Sequence, residues 1–430
     1  MSSTRSGLRR LLSLALSASY AAVATCHDHW VDIWACMPQQ VEIYNLPNAP
    51  YNTTEGVFQN TTIRQTVYIT QDASTIRFQL SNAFGGSDLP ITAATIALPV
   101  NGTAGSPAIR PNTLQHLTFS GSPSFQIPNG AVVLSDPVRF PVKAQTSVTI
   151  TLYLAAGQAG HAITGHPGSR TSTWLTQGNL VSAADVTTST TQRIDKWFLT
   201  SSIQAWLDPS HTALAIVGDS ITDGRGSTTN GNDRWPNQLL ARTLSHPPTR
   251  ALSIMNMAAG GNRVLADGLG PAALGRIERD VLAHPAVRYA LIYEGVNDLG
   301  TAPADTASQT AVADRLVLAL DQMVTRLHGA GIAVFGGTIT PMSGPGQVYG
   351  EPAREVARQR VNKWIRTSGR FDAVVDFDAA VRDKNNGTML RKEYDSGDYL
   401  HLNPAGYKAM AAAVDLKLFQ RFEGGVSAMV

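Results

Sequence analysis

Charged side chains are scarce in this chain: 34 Lys and Arg with 32 Asp and Glu make up 15% of 430 residues, against about 25% in average proteins. The formal charge is only +2 and no Lys/Arg-rich block occurs, which argues against nucleic-acid binding. Cysteine is rarer still, with Cys26 and Cys36 the only two. There is no Cys-x-x-Cys pair, no His-Glu-x-x-His, no Walker loop and no Gly-x-Gly-x-x-Gly fingerprint, so no metal, nucleotide or other cofactor is implied. No apolar run reaches the roughly 20 residues that span a bilayer, and a membrane anchor is not expected. There is no internal repeat.

What is present is apolar. A hydrophobic share of 43% over this length is enough for a full core and for two or three domains. At the start, Arg5, Arg9 and Arg10 precede an apolar run at 11–24 that ends in Ala22-Val23-Ala24, the pattern of a secretory signal peptide over residues 1–24. Its removal takes three positive charges and no negative ones, turning +2 into −1. Four Asn-x-Ser/Thr sequons, at Asn52, Asn60, Asn101 and Asn386, agree with a secreted, extracellular glycoprotein. In an oxidising compartment Cys26 and Cys36, ten positions apart, are expected to form one disulfide, the alternative being two unpaired thiols. His27 and His29 lie too near the new terminus to serve a catalytic thiol.

Hydrophobic periodicity divides the remainder. Segments 62–70, 75–84, 89–99, 124–142 and 147–154 alternate and are separated by Asn, Gly, Ser and Pro, which predicts an all-β sandwich or jelly roll at 25–208, including a linker within 182–208. In 62–70 the apolar side chains fall on alternate positions, as in a strand with one wet face. Over 209–430, short apolar strands at 213–217, 253–257, 289–293, 332–336 and 373–377 alternate with helical stretches, which predicts an α/β domain with a parallel sheet. A helix over 310–327 carries the stripe Val312, Leu316, Leu320, Met323, Val324 and Leu327, and Gly329 can end it.

In an open parallel sheet, sites form beyond the carboxyl ends of the strands. Ser220 follows the first apolar strand directly, Gly260 and Gly261 follow the second, and Asn297-Asp298 follow the third. Each alone reads equally as a cap or turn. Near the end, Asp398 stands three residues before His401, a spacing that lets a carboxylate fix one ring nitrogen while the other faces a nucleophile.

Gly218-Asp219-Ser220, Gly261, Gly295-x-Asn297-Asp298 and Asp398-x-x-His401 together resemble the four signature blocks of the SGNH hydrolases, also called GDSL esterases and lipases. They span residues 218–401. Arg234-Trp235-Pro236 and Tyr394-Asp395-Ser396-Gly397-Asp398 are similar to a secreted two-domain branch with an N-terminal β-sandwich. The resemblance implies an SGNH-type doubly wound parallel sheet flanked by helices and a serine esterase acting on a small or polysaccharide ester. Ser220 would be the nucleophile, His401 the base and Asp398 its orienting acid. An oxyanion hole would come from the N–H groups of Ser220 and Gly261 and the amide of Asn297. Relatives often carry a second histidine two residues before the catalytic one; here that place holds Tyr399. There is no Gly-x-Ser-x-Gly elbow, which disfavours an α/β-hydrolase. An acyltransferase and a catalytically silent polysaccharide-binding protein are the other functions compatible with this layout. Within the sandwich, His166 and Arg170, in a Gly-rich stretch that runs on to Trp174, are candidates to line the substrate cleft. His116, His161, His211, His246, His284 and His328 carry no catalytic signature.

Overall fold

The computed structural model describes residues 27–427; the expected signal peptide and Cys26 lie outside the described residues. The alternating segments of the first half form two large antiparallel sheets, with three small sheets of two or three strands beside them. One orders His29–Ala35, Thr200–Leu207, Ala73–Ser81 and Val132–Leu134, with Val138–Val142 also paired to Ala73–Ser81. The other orders Gln192–Ile194, Thr173–Gln177, Thr61–Tyr68, Ser147–Leu154, Ala93–Ala97 and Gln115–His116. Ile63 lies opposite Leu152 and Val67 opposite Val148. These side chains share one apolar core with Phe78, Leu80 and Ile203 of the first sheet.

The wet face expected on Thr61–Tyr68 is instead buried. Loops cross it and supply acceptors: the Arg64 guanidinium donates to Pro107 O and Ala183 O, both at 2.8 Å, and to Thr151 Oγ1 at 3.0 Å. Thr62 Oγ1 donates to Gly178 O, and Thr66 Oγ1 accepts from Gly105 N–H. A polar row can be buried when each group is paired in this way.

From Thr212 onward, strands and helices alternate into a five-stranded parallel sheet ordered Leu252–Ala258, Thr212–Gly218, Val287–Tyr293, Ala333–Gly337, Ala373–Val375. In chain order this is 2-1-3-4-5, a doubly wound sheet whose switch point lies between its first and third strands. The long helix is Thr306–His328, four residues longer at its start than its stripe indicates because Asp305 caps it, accepting from Ser308 N–H at 2.9 Å. Its end also differs. Gly329 keeps helical φ, and Gly331 takes the left-handed conformation at φ 73° while donating to His328 O. The last strand stops at Val375, where Asp376 caps the short helix Phe377–Val381.

No long linker separates the halves. Thr200–Leu207, expected at the boundary, is an inner strand of the first sheet, paired on one side with His29–Ala35 and on the other with Ala73–Ser81. One turn at 208–211 then leads into the parallel sheet. The edge strand His29–Ala35 lies along the edge strand Leu252–Ala258, with Cys36 and Asn256 forming a parallel bridge. Thr70 Oγ1 meets Ser253 Oγ at 2.7 Å, Gln71 Nε2 donates to Leu252 O at 2.8 Å, and Asp32 meets His284 Nδ1 at 2.8 Å. Each edge thereby covers the other's unpaired backbone, which an exposed edge would offer to other chains.

Candidate active site

Ser220 opens the short helix Ser220–Asp223 immediately beyond the carboxyl end of Thr212–Gly218. The turn is tight: a Cβ on Gly218 would lie 2.6 Å from Thr222 Oγ1, so only glycine fits. Asp219 caps the helix by accepting from Ile221 N–H at 2.9 Å. Burial pushes its carboxyl up to about 7, and the charges of Asp298 and Asp223 add to the rise.

His401 reaches Ser220 from a loop near the other end of the chain. Its Nε2 lies 2.8 Å from Ser220 Oγ, and its Nδ1 lies 2.6 Å from Asp398 Oδ2. The other oxygen of Asp398 accepts from the N–H groups of Leu400 at 3.1 Å and His401 at 2.8 Å. Partial burial works against the carboxylate, yet the His401 ring and these N–H groups hold its pKa well below the usual range. With an ionised acceptor at Nδ1, the ring proton sits there and Nε2 is left bare to take the serine proton. Tyr399, in place of a second histidine, adopts φ 58° and donates its N–H to Asp395.

Ser220, Gly261 and Asn297 line one cleft, and each brings a donor to it. The N–H groups of Ser220 and Gly261 have no protein acceptor among the described residues. Gly261 adopts φ 74°, and a Cβ there would run into Leu269. Asn297 donates one Nδ2 hydrogen to Asn262 O at 2.9 Å, while its Oδ1 accepts from Tyr349 OH at 3.2 Å. The amide is thus oriented and keeps a second hydrogen for a ligand. Asp298 accepts from Val264 and Leu265 N–H at 2.9 Å each, tying the glycine turn to the Asn297 helix. Tyr349 was not singled out from the sequence, and no motif marks it.

These groups open into a cleft of about 550 Å³ between the two halves. Arg170 lines it, as do Glu42, Lys196 and Arg225. His166 does not. Its ring is buried, with Nδ1 2.9 Å from Met37 O, Nε2 2.9 Å from Asp223 Oδ1, and its face stacked on Trp197. Contact with Trp197 and Met37 draws the ring into the interface and away from the opening. Trp174 also turns inward, donating to Gly105 O. Asp223, three residues after Ser220, was missed: its Oδ2 accepts from Gly260 N–H at 3.1 Å, next to the Gly261 donor.

Cys36 is a buried free thiol donating to Thr200 O at 3.6 Å, and burial pushes its pKa far up. Among the described residues no disulfide is present, and the expected partner, Cys26, is not described. Of the sequon asparagines, Asn60, Asn101 and Asn386 are exposed and Asn52 is half-buried. His284 and His328 make hydrogen bonds with the Asp32 and Asp372 carboxylates.

Residues 216–409 match the GDSL-like Lipase/Acylhydrolase family. No curated protein matches the chain significantly. Among solved structures, the chain is similar to a GDSL-like lipase from Bacteroides thetaiotaomicron, at 16% identity over 50% of this chain and 88% of that one, with a TM-score of 0.34. A carbohydrate acetylesterase family member from Sinorhizobium meliloti shows 14% identity over 49% of this chain and 99% of that one, with a TM-score of 0.38. Residues 216–409, nearly the whole of the α/β half, thus carry a GDSL-like lipase/acylhydrolase domain, and an all-β domain precedes it.

Proposed function

We propose that the protein is a secreted serine esterase that hydrolyses carboxylic esters of acetyl or other short acyl groups. The observation that carries this reading is the continuous chain from Ser220 Oγ through His401 to Asp398, at 2.8 and 2.6 Å, beside three donors with hydrogens to spare. Ser220 Oγ attacks the ester carbonyl as His401 Nε2 takes its proton. The resulting oxyanion is held by the N–H groups of Ser220 and Gly261 and by the Asn297 amide, which strengthen as charge develops. Collapse of the tetrahedral species expels the alcohol, which takes the proton back from His401. Water then attacks the acyl-enzyme with His401 again as base, releasing the acid and restoring Ser220. The exposed sequons and the Arg-led apolar start support export.

Turnover of 4-nitrophenyl acetate, together with labelling by a serine-directed phosphonate, tests this. Ser220→Ala should fold normally and lose activity by roughly 10⁴-fold or more, and the unmodified protein should take one phosphonate, at Ser220. An active Ser220→Ala protein, or labelling elsewhere, would remove the assignment.

A further inference from the structure

The cleft above Ser220 holds three cations for which the protein supplies no acceptor. Arg170 and Lys196 come from the sandwich, and Arg225 from the turn after the nucleophile helix; all three line the same opening as Ser220 and His401. The acids beside them are already engaged. Asp223 takes His166 Nε2 and Gly260 N–H, Asp195 takes Ser172 Oγ and Arg193, and Glu42 takes the side-chain amides of Gln39 and Asn45. No side-chain hydrogen bond or ion pair is formed by Arg170, Lys196 or Arg225 among the described residues.

Arg170 is the most telling of the three. Its Nε is buried with no hydrogen-bond partner, a state that native proteins avoid unless something outside the chain completes the pairing. Its backbone is fixed in the left-handed region at φ 51°, with its carbonyl accepting from Asn230 N–H at 2.8 Å. Strained residues of this kind cluster at ligand sites. Lys196 is held nearby: burial lowers its pKa, the charges of Asp195 and Glu42 favour its ammonium, and the charge of Arg170 opposes it. Two cations that repel each other across an open cleft are both relieved by one bound anion, and a guanidinium with free N–H groups suits the two oxygens of a carboxylate.

We propose that Arg170, Lys196 and Arg225 form an anion subsite and that the preferred substrate is an ester carrying a carboxylate near the scissile bond. This rests on the esterase reading and narrows its substrate class. The carboxylate can belong to the alcohol or to the acyl group, and two matched pairs of esters distinguish these. For the alcohol side, kcat/KM is compared between 4-acetoxybenzoate and the neutral 4-acetoxybenzamide. For the acyl side it is compared between 4-nitrophenyl hydrogen succinate and 4-nitrophenyl pentanoate, after subtraction of spontaneous hydrolysis. At low ionic strength the anionic member of at least one pair should be favoured at least about tenfold, falling toward parity in 0.5 M salt as the charges are screened. Arg170→Met and Lys196→Met should each reduce that ratio at least about fivefold. Ratios of one or below in both pairs, in an enzyme that turns over the neutral esters, overturn the subsite and leave the esterase standing. If no ester is hydrolysed, the esterase reading falls, and calorimetry on full-length Ser220→Ala still decides the subsite. There 4-hydroxybenzoate or methyl hydrogen succinate should bind more tightly than its neutral partner, 4-hydroxybenzamide or methyl pentanoate, whereas no preference for the anion in either pair overturns the proposal.

Discussion

Asn297 shows what one side chain can contribute when its neighbours fix it. Both ends of its amide are already held, by Asn262 O and Tyr349 OH, so the remaining hydrogen needs no reorganisation when an oxyanion appears. Asn297→Ala is expected to lower kcat by roughly 10²–10³ with little change in KM. Tyr349→Phe, which frees only the distal end, should cost less, about tenfold or under. Steady-state kinetics of the two variants checks the order; a larger loss in Tyr349→Phe would mean that the tyrosine touches substrate itself. The Asp398-x-x-His401 spacing was readable because carboxylate and ring lie within one tight turn, where backbone N–H groups of the same segment hold the acid. Tyr349 was not, since it meets Asn297 from 52 positions away.

At the level of elements, the contact that governs the glycine turn comes from the sandwich. His166, on the strand Thr164–His166, grips Asp223 on the helix Ser220–Asp223, and Asp223 in turn grips Gly260. Gly168 must lack a side chain for this to happen, because a Cβ there would overlap the Asp223 carboxylate. Gly168→Ala should therefore push Asp223 off Gly260 and lower kcat about tenfold or more while leaving the melting temperature nearly unchanged. Unaltered kcat would show that the turn is rigid without Asp223. Period and breakers sufficed to place the five parallel strands, whose buried residues form nearly continuous apolar runs. They could not show that Arg64 is covered, since its polar face looks the same in sequence whether water or loop carbonyls satisfy it.

For the whole molecule, the interface between the halves carries a pH-sensitive link. Burial alone would lower the pKa of His284, but the Asp32 carboxylate at 2.8 Å outweighs it and the pKa is raised. A raised folded value means that the pair stabilises fully below the ordinary histidine value of about 6.5, and that this contribution is lost as pH climbs through the higher folded value. His284→Gln should accordingly lower the melting temperature by about 2–4 °C at pH 6 and by much less at alkaline pH. Thermal melts of the two proteins across that range provide the check, and an equal difference at every pH would assign the effect to packing alone.

Sequence by itself determined the all-β then α/β order, the parallel strands and the order of the four signature blocks. These depend on periodicity and on spacing along one segment, and backbone geometry turns both into structure without further information. Tertiary structure alone decided which residues line the cleft. His166 and Arg170 stand four positions apart in the same Gly-rich stretch, yet one is drawn into the interface by Met37, Trp197 and Asp223 while the other is left in the cleft with an unpaired guanidinium. The difference arises because burial and pairing are settled by whatever packs opposite, and those partners lie tens to hundreds of positions away.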